Sequence, residues 1–242
     1  MRVAILTVGD ELLAGETENT NATWLAGQVT DRGGVVRRIL TVPDDPPTLV
    51  DRIRAYHDRF DAVLVTGGLG GTHDDLTVPA VADALDREVV VHEAARAAVE
   101  RTAAALAEAE PELFEQYDLD FDPDAWASLP AGARHVENPV GLAPGAVVDG
   151  VYLLPGVPEE MRGVFGNVAE EFGGDRVSRS VRSPAPEGAL AETLAAAGDR
   201  FDVAVGSYPS RADREVRVRV SGTDPDAVDA AVDWLAERID TV

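Results

Sequence analysis

The sequence predicts an α/β protein, with a three-layer α/β/α domain on a mostly parallel sheet and a small C-terminal α+β module. In the first two thirds of the chain, short apolar runs alternate with segments of helical periodicity. This alternation is typical of a parallel sheet covered by helices on both faces. Glycine, serine and proline concentrate at residues 173–188, and the order beyond them is helix, strand, strand, helix. We therefore expect one domain over residues 1–173 and a second over 176–242.

Short runs of apolar residues predict the strands of the first domain. A strand buried on both faces reads as a continuous apolar stretch, and a half-buried strand reads as an alternating one. The clearest run is VAILTV, which begins at the third residue. By these criteria the expected strands are 3–8, 35–42, 61–68 and 87–93. Residues 146–156 are expected to form a β-hairpin, because the Asp-Gly pair within them is a favoured two-residue turn.

Helices are expected between these strands, where apolar residues recur three or four positions apart. Gly33 and Gly34 end the first helix, and prolines stand near the start of the next two. The expected helices are 19–33, 44–60, 74–86, 94–110 and 157–174. Residues 111–133 fit neither pattern: they are acidic with scattered aromatic side chains, and residues 117–126 are a candidate lid.

The tail predicts a compact unit of its own. Its expected helices are residues 189–197 and 225–239, and its expected strands are 201–207 and 215–222. The second of these strands, EVRVRVSG, alternates strictly between apolar and polar residues, which is the pattern of a strand with one buried face. A unit of this size is small but can fold against a larger domain.

The composition is strongly acidic and lacks two residue types. The chain of 242 residues has 44 acidic and 21 basic residues, a net charge of −23, no cysteine and no lysine. A hydrophobic content of 45% excludes an acidic disordered chain. We interpret the acidity as an adaptation to a salt-rich (halophilic) interior, because molar salt shortens the Debye length to ~3 Å and screens self-repulsion. The acidity also argues against nucleic acid as a partner, which requires a basic face.

The same sequence bears on location and covalent chemistry. Without cysteine the chain has no disulfide framework, no thiolate zinc site and no cysteine nucleophile. It contains no run of 18 uncharged apolar residues, so no membrane span is expected. The first residues lack the small-residue cleavage site of a signal peptide, and a cytoplasmic location is therefore expected.

A glycine-rich segment, VTGGLGGTHDD at residues 65–75, follows the third strand. In open α/β sheets, ligands bind outside the carboxyl ends of the strands. Glycines allow a phosphate to approach the backbone, and the next helix would point free N–H groups at it. The segment is neither a Walker sequence nor a GxGxxG fingerprint. We call residues 66–73 the glycine loop, and its expected ligand-binding residues are Thr66, Gly67, Gly68, Gly70, Gly71, Thr72 and His73.

Acidic residues follow three strands at the same edge of the predicted sheet. Next to a phosphate they would repel the ligand, unless a divalent cation such as Mg²⁺ bridges carboxylates and phosphate. The alternative is that these residues cap or begin helices, as Asp45 could do for the helix after the second strand. The metal-ligand candidates are Asp75, Asp74, Asp44, Asp10 and Glu11.

A set of motifs in fixed order resembles a known family. The motifs are LTVGDELLAGETENTNATWLAGQVTDRG, VPDD, VTGGLGGTHDDLT, NPVGLAPG, LLPGVPEEM and VGSYPS. They resemble the molybdopterin-binding (MoaB/Mog-like) domain and, more specifically, the N-terminal part of competence/damage-inducible protein A, the CinA group. The resemblance covers nearly the whole chain, and its last part resembles a small KH-like module. Members of the family commonly have Pro where this chain has Gly71, and Arg where it has His73.

The resemblance implies which residues bind and act. The glycine loop would bind the phosphate of molybdopterin or of a nucleotide, and Asp75 and Asp44 would be the catalytic acids. By motif position, the other ligand-binding residues would be Gly9, Asn21, Pro155 and Gly156. A homo-oligomer, dimer or trimer, is expected. RNA binding by the KH-like module is not expected, because GSYPSRADRE is not a GXXG loop.

Three functions remain open at this point. The first is cleavage of a nucleotide pyrophosphate of the ADP-ribose type with a divalent metal. The second is binding or adenylation of molybdopterin in molybdenum cofactor biosynthesis. The third is a non-catalytic protein that binds a phosphorylated ligand or acts as a scaffold. The deamidase domain of longer CinA proteins has no counterpart up to Val242, so nicotinamide-mononucleotide deamidase activity is not expected.

Overall fold

A six-stranded sheet organises the first part of the chain, in a computed structural model that describes residues 1–71, 75–109, 122–210 and 214–242. In chain order its strands are β1 (Arg2–Val8), β2 (Val35–Val42), β3 (Ala62–Thr66), β6 (Arg134–Val136), β7 (Gly145–Val148) and β8 (Val151–Leu154). The order across the sheet is β2-β1-β3-β8-β7-β6. The first four of these run parallel, whereas β7 is antiparallel to both neighbours. The mostly parallel sheet predicted from the sequence is confirmed.

Helices cover both faces of this sheet and so give the three expected layers. They are α1 (Asp10–Leu13), α2 (Thr20–Asp31), α3 (Pro46–His57), α4 (Thr77–Ala84), α5 (Glu93–Ala109), α6 (Pro123–Trp126) and α7 (Pro158–Gly166). One apolar core contains Leu49 and Ile53 of α3 together with Val81 of α4. The other contains Leu25 of α2 and Phe165 of α7. Each core packs against its own side of the buried strands.

The segment before β6 differs from the sequence prediction. Two short strands, β4 (Val89–Val91) and β5 (Ser128–Pro130), form a separate antiparallel sheet. The strands β5 and β6 were not predicted, because three residues are too few to establish a period of two. Of the candidate lid, residues 122–126 hold the short helix α6, and residues 117–121 lie outside the described residues. The predicted helix 157–174 is divided between α7 and the 3₁₀ turn Ala169–Phe172.

The C-terminal part is a three-stranded antiparallel sheet with two helices. Its elements are β9 (Val177–Ser183), α8 (Glu187–Phe201), β10 (Ala204–Ser210), β11 (Glu215–Gly222) and α9 (Pro225–Ala236), and the strand order is β10-β11-β9. Contacts divide the chain into two units, residues 1–30 with 35–172 and residues 31–34 with 173–242. Strand β9 lies where the sequence predicted a linker, because its serines and arginines resemble linker composition.

The alternating strand β11 has the expected amphipathic arrangement. Val216, Val218 and Val220 are buried against the helices. Arg217, between them, faces the opposite side and lies over the Tyr208 ring at 5.5 Å. Within the described ranges, no helix has both the length and the apolar character needed to cross a membrane.

Candidate functional site

Three threonines lie side by side at the carboxyl ends of three neighbouring strands. Thr7 of β1 is in register with Thr41 of β2 and with Thr66 of β3. The hydroxyls of Thr7 and Thr41 are 3.0 Å apart, and Thr7 and Thr66 are almost completely buried. We call these residues the threonine row. It places hydroxyl groups at the ends of β1 and β3, whose residues are otherwise almost all apolar and buried, and of the neighbouring strand β2.

Two asparagines near the start of α2 cover the threonine row. Asn19 Nδ2 donates to Thr7 Oγ1 at 2.8 Å and to Thr41 Oγ1 at 3.1 Å. Asn21 Nδ2 donates to the Gly156 carbonyl at 2.7 Å and approaches Thr66 Oγ1 at 3.4 Å. Asn21 Oδ1 is buried and has no hydrogen-bond partner among the described residues. An acceptor of this kind is available to a donor group of a ligand.

Sequence reasoning identified Asn21 and Thr66 but missed Thr7, Thr41 and Asn19. The available signal was the tripeptide Leu-Thr-Val, which ends both β1 and β2. A hydroxyl in a buried strand such as β1 is unusual, because unpaired buried polar groups are costly, and here the same tripeptide recurs in the neighbouring strand β2. The signal becomes useful only when the parallel register of β1 and β2 is known.

A pocket of about 90 Å³ opens between α1, the start of α2 and the sheet. It is lined by Thr7 and Thr66, both asparagines, Gly156 and the carboxylate residues Glu11 and Glu18, among others. Its lining contains these two acidic residues and no arginine or histidine in the part of the chain that the structure describes. An anionic ligand could therefore bind in this pocket only together with a cation that offsets the two carboxylates.

The glycine loop turns sharply at its first two glycines. Gly67 has φ +106° and Gly68 has φ +64°, and both values favour glycine over residues with a Cβ. A Cβ on Gly67 would lie 2.5 Å from the Val8 carbonyl oxygen. The buried Thr77 hydroxyl donates to the Gly67 carbonyl at 2.6 Å and ties the loop to α4. The backbone here is fixed by close packing against β1 and α4.

The start of α4 offers fewer donors than the sequence suggested. Thr77 N already donates to the Gly68 carbonyl at 3.1 Å, and Pro79 has no N–H. The first turn therefore leaves the amides of the N-cap residue Leu76 and of Val78 as its candidate donors. The expectation of free N–H groups aimed at a phosphate is thus limited to these two amides and stays a prediction. Phosphate recognition would depend on the glycine loop and on a cation.

Asp75 lies against the glycine loop. A Cβ added to Gly70 would collide with the Asp75 carboxylate, so a glycine is needed there for the carboxylate to lie so close. The N-cap position of α4 is Leu76, without a side-chain cap bond. The helix-cap interpretation therefore does not account for Asp75. Of the other predicted residues of this segment, Thr72, His73 and Asp74 lie outside the described residues.

Packing explains why this chain has Gly71 where members of the family that it resembles commonly have proline. A Cβ on Gly71 would overlap the Trp126 indole, whose ring lies directly against the glycine Cα. Trp126 ends the short helix α6 and is partly buried against the core. The indole fills the space that a larger side chain at position 71 would occupy. Trp126 was predicted only as part of a lid, and no sequence pattern linked it to the glycine loop.

Asp44 and Asp45 are neighbours with separate tasks. Asp45 caps α3, since its carboxylate accepts from Thr48 N at 3.0 Å and from Thr48 Oγ1 at 2.6 Å. Those bonds, the hydroxyl bond first, lower the pKa of Asp45. Asp44 instead accepts from the backbone N of Asp10 at 2.9 Å and so reaches the end of β1. The capping alternative is right for Asp45. Asp44 does not cap α3, and it remains a candidate residue of the site.

The remaining predicted residues lie around the β1–α1 junction and the β8–α7 junction. The Glu11 carboxylate lies against Gly9, where an added Cβ would overlap it. The Pro155 carbonyl accepts from Thr66 Oγ1 at 2.6 Å, and Gly156 packs against Gly67. The carboxyl edge therefore brings together residues from four segments that are distant in sequence.

The acidic residues do not form a ready-made metal cage. In the described part of the chain, no group of three or more Asp, Glu or His side chains is arranged to hold a metal ion. Magnesium is usually held by one or two carboxylates together with substrate phosphates and water. The donor set, carboxylates next to a glycine cradle and no thiolates, fits a site of that shared kind. The ligand set Asp75, Asp74, Asp44, Asp10 and Glu11 stays a prediction.

Two family models together match almost the whole chain. One, described as "Probable molybdopterin binding domain", matches residues 4–173, and the other, described as "FAD synthase, middle domain", matches residues 175–242. The first match spans more than half of the chain and includes the threonine row and the glycine loop. The second match relates the C-terminal unit to a module that the KH-like interpretation did not name.

Similar proteins come from archaea and bacteria. A protein of Archaeoglobus fulgidus is 34% identical over 245 residues, covering 99% of this chain and 98% of the relative. A CinA-like protein of Geobacter sp. (strain M21) is 37% identical over 255 residues, covering 99% of this chain and 58% of the relative. A crystal structure of the protein CinA from Thermoplasma acidophilum, described as of unknown function, is 32% identical with a TM-score of 0.61. That alignment covers 72% of this chain and 99% of the other.

Proposed function

The chain belongs to the molybdopterin-binding domain family and is a CinA-type member of it, and we propose that it hydrolyses the pyrophosphate of a nucleotide. The substrate class is a dinucleotide-like diphosphate such as ADP-ribose, and a divalent metal ion takes part. Water adds to one phosphorus, and the bridging oxygen leaves with the other phosphate. For ADP-ribose the products are AMP and ribose 5-phosphate.

One observation carries this proposal: a glycine cradle and several carboxylates share the carboxyl edge of the sheet. The Asp75 carboxylate lies against Gly70, and the Asp44 carboxylate reaches the Asp10 amide at 2.9 Å. Within the described residues, no arginine lies within ion-pair distance of Asp10, Glu11 or Asp44. A phosphate and these carboxylates are compatible only when a cation stands between them.

The chain's own residues would bind and orient the substrate. A bound divalent ion would neutralise charge on the phosphate oxygens and lower the pKa of a water molecule. Asp75 and Asp44 would hold that ion, while the Gly67–Gly68 turn lets the pyrophosphate approach the backbone. Asn21 Oδ1, buried and without a partner among the described residues, would accept a hydrogen bond from a sugar hydroxyl or a base amino group.

Molybdopterin is the second candidate ligand, and the family description favours it. It carries a phosphate that the glycine loop could hold by the same chemistry. Adenylation with Mg-ATP would use the same acidic residues: the pterin phosphate would attack the α-phosphorus of ATP, and pyrophosphate would leave. The two candidates differ in whether water or a pterin phosphate attacks, so product analysis separates them.

The first test is AMP release from ADP-ribose and FAD in molar KCl, with Mg²⁺, Mn²⁺, Co²⁺ or Ni²⁺ supplied in turn. We expect metal-dependent release by the wild type and a loss of at least ~100-fold in kcat for Asp75→Asn, since metal ligands contribute several kcal/mol to such barriers. Asp44→Asn should also lose activity. Its neighbour gives a matched control: Asp45→Asn affects only the cap of α3 and should stay within about twofold.

The outcomes separate the candidates. Release that needs a metal and is lost in Asp75→Asn but retained in Asp45→Asn supports the hydrolase. If folded protein releases no AMP with any of these metals, the hydrolase proposal is wrong for these substrates. Binding of molybdopterin, followed by its adenylation with Mg-ATP, would then identify the second candidate. Binding without turnover of either ligand would indicate a non-catalytic ligand-binding protein.

A further inference from the structure

The outer edge of the two-stranded sheet is open and apolar. Strand β4 consists of Val89, Val90 and Val91, whose exposed fractions are 43%, 40% and 42%. It pairs with β5, and among the described residues no third strand joins this sheet. An exposed apolar strand with a free edge is a template for pairing with another chain.

The hydrogen bonds to β5 identify which backbone groups face outward. His92 N donates to the Ala127 carbonyl at 2.9 Å, and Ala131 N donates to the Glu88 carbonyl at 2.7 Å. Residues 88, 90 and 92 therefore direct their backbone groups to β5. Because this direction alternates along a strand, the N–H and C=O groups of Val89 and Val91 point to the outer edge. No described residue outside the sheet bonds them.

The edge strand of the large sheet is protected in a way that β4 is not. Strand β2 lies at one end of that sheet, and its exposed Ile39 follows Arg37 and Arg38. Charged side chains on an edge strand discourage pairing with another chain. Strand β4 carries no charge in its three residues, so its own sequence leaves the edge available.

We propose that β4 pairs with β4 of a second copy of this chain, antiparallel and across a two-fold axis at Val90. Val89 then faces Val91 of the second copy, and Val91 faces its Val89. Each of these two pairs exchanges both of its outward backbone hydrogen bonds. The result is a four-stranded sheet with the order β5-β4-β4-β5 across the two copies, and the interface uses the same patch on both, as a two-fold dimer requires.

Charge complementarity selects the second copy as the occupant. The segment REVVVHE, residues 87–93, places Arg87 and Glu93 three residues, and Glu88 and His92 two residues, on either side of Val90. In the proposed register Glu88 faces His92 of the second copy, and Arg87 faces its Glu93. A shift by two residues would instead place Glu93 or Arg87 against valine, and both the Arg87–Glu93 ion pair and the Glu88–His92 contact would be lost.

The side chains at this edge can make those contacts without leaving their present partners. Arg87 is 39% exposed at its side chain and already pairs with Asp149 of its own chain at 2.6 Å. Glu93 of the second copy would therefore add a second carboxylate to an existing ion pair. Ala95 N donates to Nδ1 of His92 at 3.4 Å, so Nε2 of His92 is left to donate to Glu88 of the second copy. A three-residue strand buries far less than the ~800 Å² per partner of a standard interface, so the dimer should depend on protein concentration.

Sedimentation velocity over a wide concentration range in molar KCl tests the proposal. We expect the mass of the wild-type chain to rise from 25.6 kDa toward twice that value. Val91→Lys places a charge on the edge, and Val89→Pro removes an outward N–H that β5 does not use. Both variants should weaken dimerisation at least about tenfold, in line with the loss of strand pairing. Thermal unfolding of each variant checks that the monomer is folded.

A charge-swap cycle tests the register. Arg87→Glu and Glu93→Arg should each weaken the dimer, because like charges then face one another. The double variant restores the complementary pair in this register alone, so it should recover dimerisation. Wild-type protein that stays monomeric at every concentration would overturn the proposal. An assembly that persists unchanged in folded Val91→Lys and Val89→Pro, or a double variant weaker than both singles, would also overturn it.

Discussion

The amino and carboxyl ends of the strands, which form two opposite edges of the six-stranded sheet, differ in how their carboxylates are paired. At the amino edge, carboxylates are matched by arginine: Arg2 pairs with Asp61 at 2.8 Å, and Arg87 pairs with Asp149 at 2.6 Å. At the carboxyl edge, Asp44 and its acidic neighbours at the end of β1 have no arginine within ion-pair distance among the described residues. Among the described residues, these two ion pairs have no counterpart at the acidic residues that follow β1 and β2.

This difference indicates that the carboxyl edge is less stabilised than the amino edge and is the one suited to binding a ligand. Matched charges at the amino edge join neighbouring strand starts and leave nothing for a ligand to complete. The carboxyl edge has like charges, a glycine cradle and a buried acceptor without a partner, Asn21 Oδ1. Polar arrangements that are incomplete in the folded chain are costly, and they are retained where a ligand completes them.

Two glycines, one at each edge, give the largest expected contrast. Gly67→Ala should destabilise the protein by about 3 kcal/mol, because it combines an unfavourable backbone conformation with a carbonyl collision. Gly67 has φ +106°, and its Cβ would lie 2.5 Å from the Val8 oxygen. Gly150→Ala should cost about 1 kcal/mol, because strain at positive φ is then the main term. Gly150 has φ +79°, and its Cβ would lie 3.3 Å from the Asp61 oxygen.

Denaturant unfolding of both variants measures this contrast. Gly188→Ala is a control for the substitution itself, since its Cβ would meet nothing within 4 Å. Equal losses for Gly67→Ala and Gly150→Ala would contradict the tight packing inferred for the glycine loop. They would indicate that the loop relaxes away from β1 at little cost.

The threonine row should show a smaller effect. Thr66→Val keeps the shape of the side chain but removes the donor to the buried Pro155 carbonyl, which should cost about 1–2 kcal/mol. Thr30→Val is the matched control, because the Thr30 hydroxyl bonds only its own helix, at Ala26 O. It should change stability by less than about 0.5 kcal/mol. A Thr66 variant as stable as the wild type would mean that water satisfies the carbonyl there.

The fold was largely predictable because its main strands and helices have strong periods. The apolar runs of β1 and β3 and the alternation of β11 each specify a strand without tertiary information. Strand β9 was missed because serine and arginine alternate in it, and such residues are also typical of linkers. Strands of three residues, such as β5, carry too little pattern to be distinguished from loops.

The position of the candidate site could be predicted from the sequence, but the separate roles of its neighbouring residues could not. The glycine loop and the acidic residues follow strand ends, and strand ends can be read from the sequence. That Asp45 caps a helix while Asp44 bonds the Asp10 amide depends on side-chain direction, which adjacent identical residues do not reveal. The pairing of Thr7 with Thr41 depends on strand register, which no local pattern encodes.

The smallest expected effect belongs to the ion pair of the amino edge. Hydrogen bonds from Arg2, the side-chain bonds first, lower the pKa of Asp61 to about 2. The folded state therefore holds the Asp61 proton less strongly than the unfolded chain, whose carboxyl titrates near pH ~4. The contribution of the pair is complete above that pH and is lost as the pH falls through about 2. Both side chains are about half exposed, so solvent screening keeps the contribution small.

Asp61→Asn should accordingly lower Tm by about 1–2 °C near neutral pH and have a much smaller effect near pH ~2, where the wild-type carboxyl is about half protonated. Thermal unfolding of the wild type and the variant across this range measures the difference. Arg2→Gln should cause a similar loss, and the double variant should lose no more than either single one, because one pair is broken in all three. A Tm difference that is independent of pH would mean that Asp61 acts through packing, and that the amino edge is not stabilised by its matched charges.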